Sequence, residues 1–272
     1  MQKRLQEYKQ HLQNMELSEP TIKIYLQQAQ LLEEYLAQKN YQKSSIMEYK
    51  KMLEQRNLKV STRNLYIIAI NKYLHFLGYD EYCVKTHRIQ KKRSLKNVIQ
   101  IEEYRKLLDY TQRQGDDKYN CILKTLAGTG IRVSELEYFT VESLNSGIIT
   151  VSNKGKIREI YLPNSLIKEL KTYCSKKHIE SGTIFLGRNG NPINRISVYK
   201  HLNDMAGKNG IPKERVHPHS LRHMFAIAYM ETYHNLSELS DILGHSSLET
   251  TRIYATTTAE EKCNKLEMLN LI

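Results

Sequence analysis

The sequence predicts a mainly α-helical protein with a small antiparallel β-sheet, divided into a helical domain and a following α+β domain. Two observations predict this class. Apolar residues recur at helical spacing through the first 80 residues, with no strand pattern among them. Two short runs rich in β-branched residues then flank residues 153–156, and helical patterns surround them.

The first domain is predicted to be a bundle of four helices within residues 1–84. Its longest apolar stripe has Ser18 as the expected N-cap and Pro20 in the first turn. Gly78 is expected to end the last helix. The helices are expected near residues 5–12, 22–36, 45–56 and 61–77.

Residues 85–98 interrupt this periodicity and are predicted to form an exposed linker between the domains. The first 98 residues hold 18 Lys and Arg against 9 Asp and Glu, which is +9 of the total charge of +12. A basic surface favours a polyanion such as nucleic acid, although a solvated linker has the same composition. The linker cations are Lys85, Arg88, Lys91, Lys92, Arg93 and Lys96.

The second domain is predicted to span residues 99–272. An antiparallel hairpin is expected from residues 147–152 and 157–162. Helices are expected at residues 101–114, 118–127, 164–177, 195–208, 218–233, 237–243, 247–255 and 259–270.

The composition excludes several classes of protein. No apolar run approaches the ~18 residues of a membrane span, and no signal peptide is visible, so a cytoplasmic protein is expected. The four cysteines share no CxxC spacing, which disfavours a zinc site or a disulfide framework. The sequence has neither a P-loop nor a dinucleotide-binding fingerprint, and no cofactor is expected.

Tyr254 is the candidate nucleophile. A phenol has a pKa of about 10, so it needs neighbouring cations and a proton acceptor to react at neutral pH. His245 stands nine residues earlier, and the capping-box spacing of Ser246 and Glu249 predicts that a helix begins between them. In a chain with 19 tyrosines, a single tyrosine is more often structural.

Two upstream segments can supply the cations. His219 and Arg222 are three residues apart on a helix that Pro218 can begin, so they share one face. Arg132 follows a glycine-rich turn and is expected to open a helix, with Glu135 placed to orient it or to cap the turn. Taken alone, either segment also fits an ordinary helix surface.

Two lysines flank the predicted hairpin turn. Lys154 or Lys156 can extend into a DNA groove and donate a proton. A lysine in a β-turn is usually only solvated, so neither residue carries this interpretation by itself.

Taken together, these segments resemble the tyrosine recombinase family, also called phage-integrase or lambda-integrase-like. The motifs are Gly-Thr-Gly-Ile-Arg-Val-Ser-Glu-Leu, a lysine hairpin, His-x-x-Arg-His, and Leu-Gly-His-Ser-x-x-x-Thr-Thr-x-x-Tyr. They occur in the family's order, with 26 residues from His219 to His245. The resemblance covers the second domain closely. It extends to the first, as a helical core-binding (SAM-like) domain, by length and position.

The resemblance implies cutting and rejoining of DNA strands through a 3′-phosphotyrosine intermediate and a Holliday junction. Tyr254 would attack the phosphodiester, while Arg132 and Arg222 would hold its non-bridging oxygens. His219 would accept the tyrosine proton and return it during religation. His245 would add a hydrogen bond to the phosphate.

The same resemblance gives Glu135 a supporting acidic position and requires a lysine to protonate the leaving 5′-oxygen. The spacing here is one residue shorter than the family's pattern. Alignment on Lys-Gly selects Lys154, whereas alignment on Arg158 leaves Lys156 in contention; Lys156 is otherwise expected to contact DNA. Because the phosphotyrosine ester keeps the bond energy, no ATP or metal is expected.

The implied partner is double-stranded DNA that carries recombination sites, gripped mainly through phosphates. A C-terminal helix at 259–272 would dock on a neighbouring protomer and build a homo-tetramer on DNA; packing on its own domain is the alternative. Whether a second recombinase or accessory protein takes part stays open. So does the choice among integration, excision, inversion and dimer resolution.

Two other functions compete with recombination. A type IB topoisomerase would use the same chemistry without exchanging DNA partners. A DNA-binding accessory protein would have an inactive centre. The helical N-terminal domain and the Thr-Thr-x-x-Tyr context favour a recombinase over a topoisomerase. The complete set of expected catalytic positions disfavours an inactive accessory protein.

Overall fold

The computed structural model describes residues 2–37, 39, 41–88, 97–153, 156–245 and 247–255, without the side chains of Asn153 and Lys156. Within these residues the chain is mostly helical and contains one two-stranded antiparallel sheet, which confirms the predicted fold class. The chain divides into two compact units, Met1–Lys92 and Arg93–Ile272. The exact domain and linker boundaries stay predictions.

Four helices build the first unit, each close to a predicted one. Helix α2 packs on α4 and α1 around a core of fully buried side chains such as Leu12 and Tyr73. Ser18 is the N-cap of α2 as predicted, but its hydroxyl pairs with the Thr21 hydroxyl at 2.8 Å instead of a backbone N–H. The helices are α1 (Gln2–Asn14), α2 (Glu19–Leu36), α3 (Lys43–Gln55) and α4 (Val60–Phe76).

A buried carboxylate lies in the core of the first unit. Glu33 accepts hydrogen bonds from the Tyr41 hydroxyl at 2.6 Å, from Arg4 at 3.1 Å and from the Tyr73 hydroxyl. Burial alone would raise the pKa of Glu33, but these three donors outweigh burial and lower it. The ionised carboxylate therefore joins α1, α2 and α4.

The second unit contains eight α-helices among its described residues, with a hairpin between α7 and α8. Strands β1 (Ile148–Asn153) and β2 (Lys156–Tyr161) pair with Asn153 opposite Lys156. The helices are α5 (Ile101–Arg113), α6 (Asp117–Thr129), α7 (Val141–Ser146), α8 (Asn164–Lys176), α9 (Arg195–Lys208), α10 (Pro218–Tyr233), α11 (Leu236–Leu243) and α12 (Leu248–Thr251).

Helix α6 is central to the second unit, since α10, α8 and α5 all pack on it. It ends at Gly130, whose φ of +62° is in the left-handed region. A Cβ at this position would lie 2.4 Å from the ring of Phe225 on α10. Glycine is therefore required for α10 to approach the end of α6.

Several local predictions were wrong in detail. Arg132 does not open an α-helix; it caps a 3₁₀ helix, Val133–Tyr138. Helix α12 is capped by Ser247, whose hydroxyl accepts from the Glu249 N–H, and not by Ser246, which lies outside the described residues. The predicted helix at 259–270 also lies outside them. No helix of the described residues is long and apolar enough to cross a membrane.

Candidate active site

The turn after α6 fixes Arg132 through Glu135. The Glu135 side chain is 2% exposed, and its carboxylate accepts from the Arg132 backbone N–H at 2.7 Å and from Arg132 Nη1 at 3.1 Å. A 3₁₀ turn brings residues i and i+3 together, so one carboxylate binds both the backbone and the side chain of Arg132. The guanidinium is therefore held in one orientation.

Helix α10 carries Arg222 into the interior. Pro218 occupies its first turn, and His217 caps it by accepting the Ser220 N–H through Nδ1. Arg222 is 3% exposed and donates to the carbonyl of Gly130 at 2.8 Å. Burial, followed by the charge of Arg132, lowers the pKa of Arg222 to about 10, so it remains a cation at neutral pH.

Three arginines converge on the C-terminal end of α11. Arg158 Nη1 donates to the carbonyl of Ile242 at 2.7 Å, and Arg222 Nη2 to that of Leu243 at 2.6 Å. Arg132 Nη2 donates to the next carbonyl, that of Gly244, at 3.1 Å. The end of a helix has unpaired carbonyls and a partial negative charge, so it stabilises adjacent cations.

Gly244 permits this convergence. Its φ of +62° ends α11 in the left-handed region, and an added Cβ would lie 2.2 Å from Cδ of Arg158. Arg158 in turn donates to Glu135 Oε2 at 2.6 Å, so it joins β2 to the Arg132 turn. Burial is the main cause of a lowered pKa for Arg158.

His245 is held between Arg222 and Thr251. Arg222 Nη2 lies 2.9 Å from His245 Nε2, and Thr251 Oγ1 lies 2.8 Å from Nδ1. A guanidinium can only donate, so Nε2 accepts and Nδ1 carries the proton that bonds to the Thr251 oxygen. Burial, then the nearby arginines, lowers the His245 pKa to about 4, so its ring is neutral at pH 7.

Tyr254 lies in the 3₁₀ helix Arg252–Tyr254 that follows α12. Its ring packs against a small apolar cluster that includes Leu239 and Leu243. Its hydroxyl lies 2.5 Å from Nδ1 of His223. Burial raises the pKa of Tyr254 to about 12, and the charge of Arg222 opposes this rise. The hydroxyl is therefore neutral in the free protein.

His219 stands one turn before His223 on α10, and their ring centroids are 6.4 Å apart. Burial, then the charges of Arg222 and Arg132, lowers the pKa of His219. The structure thus brings five of the predicted catalytic residues into one region of the second unit: Arg132, His219, Arg222, His245 and Tyr254.

The structure describes only some of the lysines and linker residues that the sequence predicts to act on DNA. Lys154 lies outside the described residues, and Lys156 is described only as a backbone position at the start of β2. Lys85 and Arg88 are exposed in the first unit. Lys91, Lys92, Arg93 and Lys96 lie outside the described residues.

Two residues of the site carry no role in the sequence analysis. His223 lies in the His-x-x-Arg-His motif, and its position next to Arg222 could have indicated a place in the site. Arg158 enters the sequence analysis only as a reference point for aligning the hairpin lysines. It lies two residues before the buried Ile160 and therefore on the inner face of β2. Among the described residues, no group of three or more His, Cys, Asp or Glu could hold a metal ion.

The comparisons with known proteins cover both units. Residues 97–261 match the model of the phage integrase family, and residues 5–79 match that of its N-terminal SAM-like domain. Tyrosine recombinase XerA of Pyrococcus furiosus is 31% identical over 229 residues, which is 81% of this chain and 78% of the relative. Tyrosine recombinase XerD of Staphylococcus saprophyticus is 31% identical over 205 residues, 70% of this chain and 69% of the relative.

Two solved structures share the fold. XerH recombinase bound to its difH substrate has a TM-score of 0.72 and 20% identity, over 92% of this chain and 80% of the other. The Tn1549 transposon integrase in complex with transposon right end DNA has a TM-score of 0.74 and 18% identity, over 98% of this chain and 99% of the other.

Proposed function

The chain belongs to the phage integrase family and is a tyrosine-type site-specific DNA recombinase, and we propose that Tyr254 is its nucleophile. One observation carries this assignment. The hydroxyl of the half-buried Tyr254 lies 2.5 Å from Nδ1 of His223, the residue after Arg222, while Arg222 and Arg132 donate to adjacent carbonyls at the end of α11. A phosphodiester placed there would meet a nucleophile and two fixed cations.

The proposed reaction begins with attack of Tyr254 Oη on the scissile phosphorus. A phosphotyrosine bond forms to the 3′ side, and the bond to the 5′-oxygen breaks. Arg132 and Arg222 bind the non-bridging oxygens, whose charge increases in the transition state. Because both guanidiniums are already oriented by protein acceptors, little reorganisation is needed when the charge develops.

Proton transfers accompany both bond changes. The leaving 5′-oxygen takes a proton from Lys154, with Lys156 as the alternative. The tyrosine proton passes to a histidine of α10; His219 is the family's candidate for this role. For His245 to bond to the phosphate, its contact with Arg222 has to open, because both of its ring nitrogens are engaged.

The proposed partner is double-stranded DNA with recombination sites, and the XerH and Tn1549 relatives were solved on DNA. The linker cations and Lys156 would neutralise phosphates along the duplex. We further propose a homo-tetramer on two sites, assembled through residues 259–272, in the cytoplasm. Integration, excision, inversion and dimer resolution all use this chemistry.

Covalent trapping tests the proposal. A duplex nicked near the cleavage position, drawn from DNA that flanks the gene, loses a short fragment after cleavage and leaves the protein attached. We expect a covalent adduct with the wild type and none with Tyr254→Phe at equal DNA affinity. Tyr233→Phe, at a tyrosine that is 64% exposed, is the matched control and keeps the adduct. An adduct with Tyr254→Phe would disprove the nucleophile.

A further inference from the structure

The hydroxyl of Tyr254 is bonded to His223, the residue after Arg222. The oxygen lies 2.5 Å from His223 Nδ1, and the two rings are 5.7 Å apart at 51°. The family resemblance assigned the tyrosine proton to His219, one helical turn earlier. His219 and His223 are therefore two alternative acceptors for the Tyr254 proton.

The protonation states define the direction of this hydrogen bond. Burial, then the neighbouring His219, His217 and Arg222, lowers the pKa of His223 to about 4. Burial raises the pKa of Tyr254 to about 12. At neutral pH the phenol therefore keeps its proton and donates it, and His223 Nδ1 accepts.

We infer that His223 is a catalytic residue that holds Tyr254 Oη for attack and takes its proton. This inference rests on the proposed function. As the Oη–phosphorus bond forms, the phenol proton moves to His223 Nδ1, and the 5′-oxygen leaves with a proton from the hairpin lysine. Religation reverses both transfers: His223 returns its proton to Oη as the 5′-hydroxyl attacks.

Bound DNA makes His223 a better base than it is in the free protein. The groups that face it are His217, His219 and Arg222 of α10 and its cap, His245, and Tyr254. All but Tyr254 are cationic or become so on protonation, and they disfavour a proton on His223. A phosphodiester brings a negative charge to the same place, which favours the protonated form.

The test separates hydrogen bonding from proton transfer. In His223→Asn the amide oxygen can replace Nδ1 as an acceptor, but it cannot take a proton. His219→Asn makes the same change at the rival base. His178→Asn is the matched control, because His178 is exposed and its φ of +54° is one that asparagine tolerates. Single-turnover cleavage of the nicked duplex is measured from pH 4 to 8.5, together with DNA affinity.

We expect His223→Asn to cleave about 100-fold more slowly at unchanged DNA affinity, as for loss of a general base. Wild-type cleavage should fall with decreasing pH as His223 becomes protonated, and this acid limb should disappear in the variant. Cleavage by His223→Asn at the wild-type rate, or loss of the acid limb in His219→Asn alone, would overturn the inference.

A second measurement distinguishes loss of the base from poor folding of His223→Asn. Replacement of Tyr254 by a fluorinated tyrosine gives a more acidic phenol, which needs its base less. It should partly restore cleavage to His223→Asn, and no restoration counts against the inference. If the wild type forms no adduct at all, the proposed function fails as well. If the adduct depends on Tyr254 but not on His223, only this inference fails.

Discussion

Arg158 Nη2 lies 2.6 Å from Glu135 Oε2, and this ion pair joins strand β2 to the turn that holds Arg132. The Arg158 side chain is 14% exposed and that of Glu135 2% exposed, so both charges are largely removed from water. A buried charge that loses its partner destabilises the fold strongly.

Glu135→Gln should therefore destabilise the second unit. The amide keeps one acceptor oxygen, whereas the carboxylate serves both Arg132 and Arg158. We expect a loss of about 3–5 kcal/mol in the free energy of unfolding, measured by urea denaturation, together with slower DNA cleavage. The exposed Glu137→Gln is the control and should change stability by less than about 0.5 kcal/mol. Equal effects of the two changes would show that the ion pair is unimportant.

Gly244→Ala should impair the site more than a glycine change elsewhere. Gly115 has a similar φ of +65°, but nothing lies within 4 Å of an added Cβ, so Gly115→Ala introduces backbone strain alone. That strain is about 1–2 kcal/mol in each variant. In Gly244→Ala, the new methyl also displaces Arg158 from its acceptors. We expect cleavage to fall at least about tenfold only in Gly244→Ala, since an unpaired buried donor costs about 1–3 kcal/mol.

Thr251 holds the His245 ring in place by accepting a hydrogen bond from its Nδ1 at 2.8 Å. Thr251→Val keeps the shape but removes the oxygen that accepts from Nδ1, so the ring loses its fixed orientation. We expect about tenfold slower single-turnover cleavage, in line with the ~1–3 kcal/mol lost when a buried donor is unpaired. Thr251→Ser retains the hydroxyl and should stay near the wild-type rate. A slow serine variant and a fast valine variant would contradict this role.

The first unit should lose stability in acid through Glu33. Its pKa is lowered in the folded state, so its contribution is present above the unfolded pKa of about 4.3 and is lost as pH falls below it. At pH 7, Glu33→Gln should cost about 1.5–3 kcal/mol. The difference between wild type and variant should shrink towards pH 3. Hydrogen exchange in α2 of the full-length protein measures this, with the exposed Glu7→Gln as control.

The linker should set the salt dependence of DNA binding. Each phosphate contact adds about 0.9 to the slope of log K against log salt concentration. Replacing the four cations Lys91, Lys92, Arg93 and Lys96 by glutamine should lower this slope by up to about 3–4. Glutamine at Lys168 and Lys171, exposed on α8, is the matched control. An unchanged slope would exclude the linker as a phosphate contact.

Reactive side chains that recur at a characteristic spacing could be predicted from the sequence. Arg132, His219, Arg222, His245 and Tyr254 were identified by motif and order, and the helices and the hairpin by periodicity. The hairpin lysine stays a prediction, because the two alignments differ by residues whose side chains lie outside the described part of the chain.

Other features carry no distinct signal in the sequence. A 3₁₀ turn after Arg132 differs from an α-turn only in its hydrogen-bond partner. Ser246 and Ser247 are equally suited to cap a helix, so a one-residue shift is invisible. Arg158 donates to the backbone carbonyl of Ile242 and to the carboxylate of Glu135, and both partners are distant from it in the sequence. Its partners therefore follow from the tertiary fold.

The end of α11 has a mechanical consequence. Since Arg132, Arg158 and Arg222 each bind one of its three successive carbonyls, a small displacement of this helix would shift all three cations at once. The side chain of Ile242 takes no part in these bonds, so a substitution there that preserves the backbone should be silent. Leu243 differs, because it is fully buried in the apolar cluster that packs against Tyr254. Activity would thus depend on where the end of this helix lies, and not only on the arginine side chains themselves.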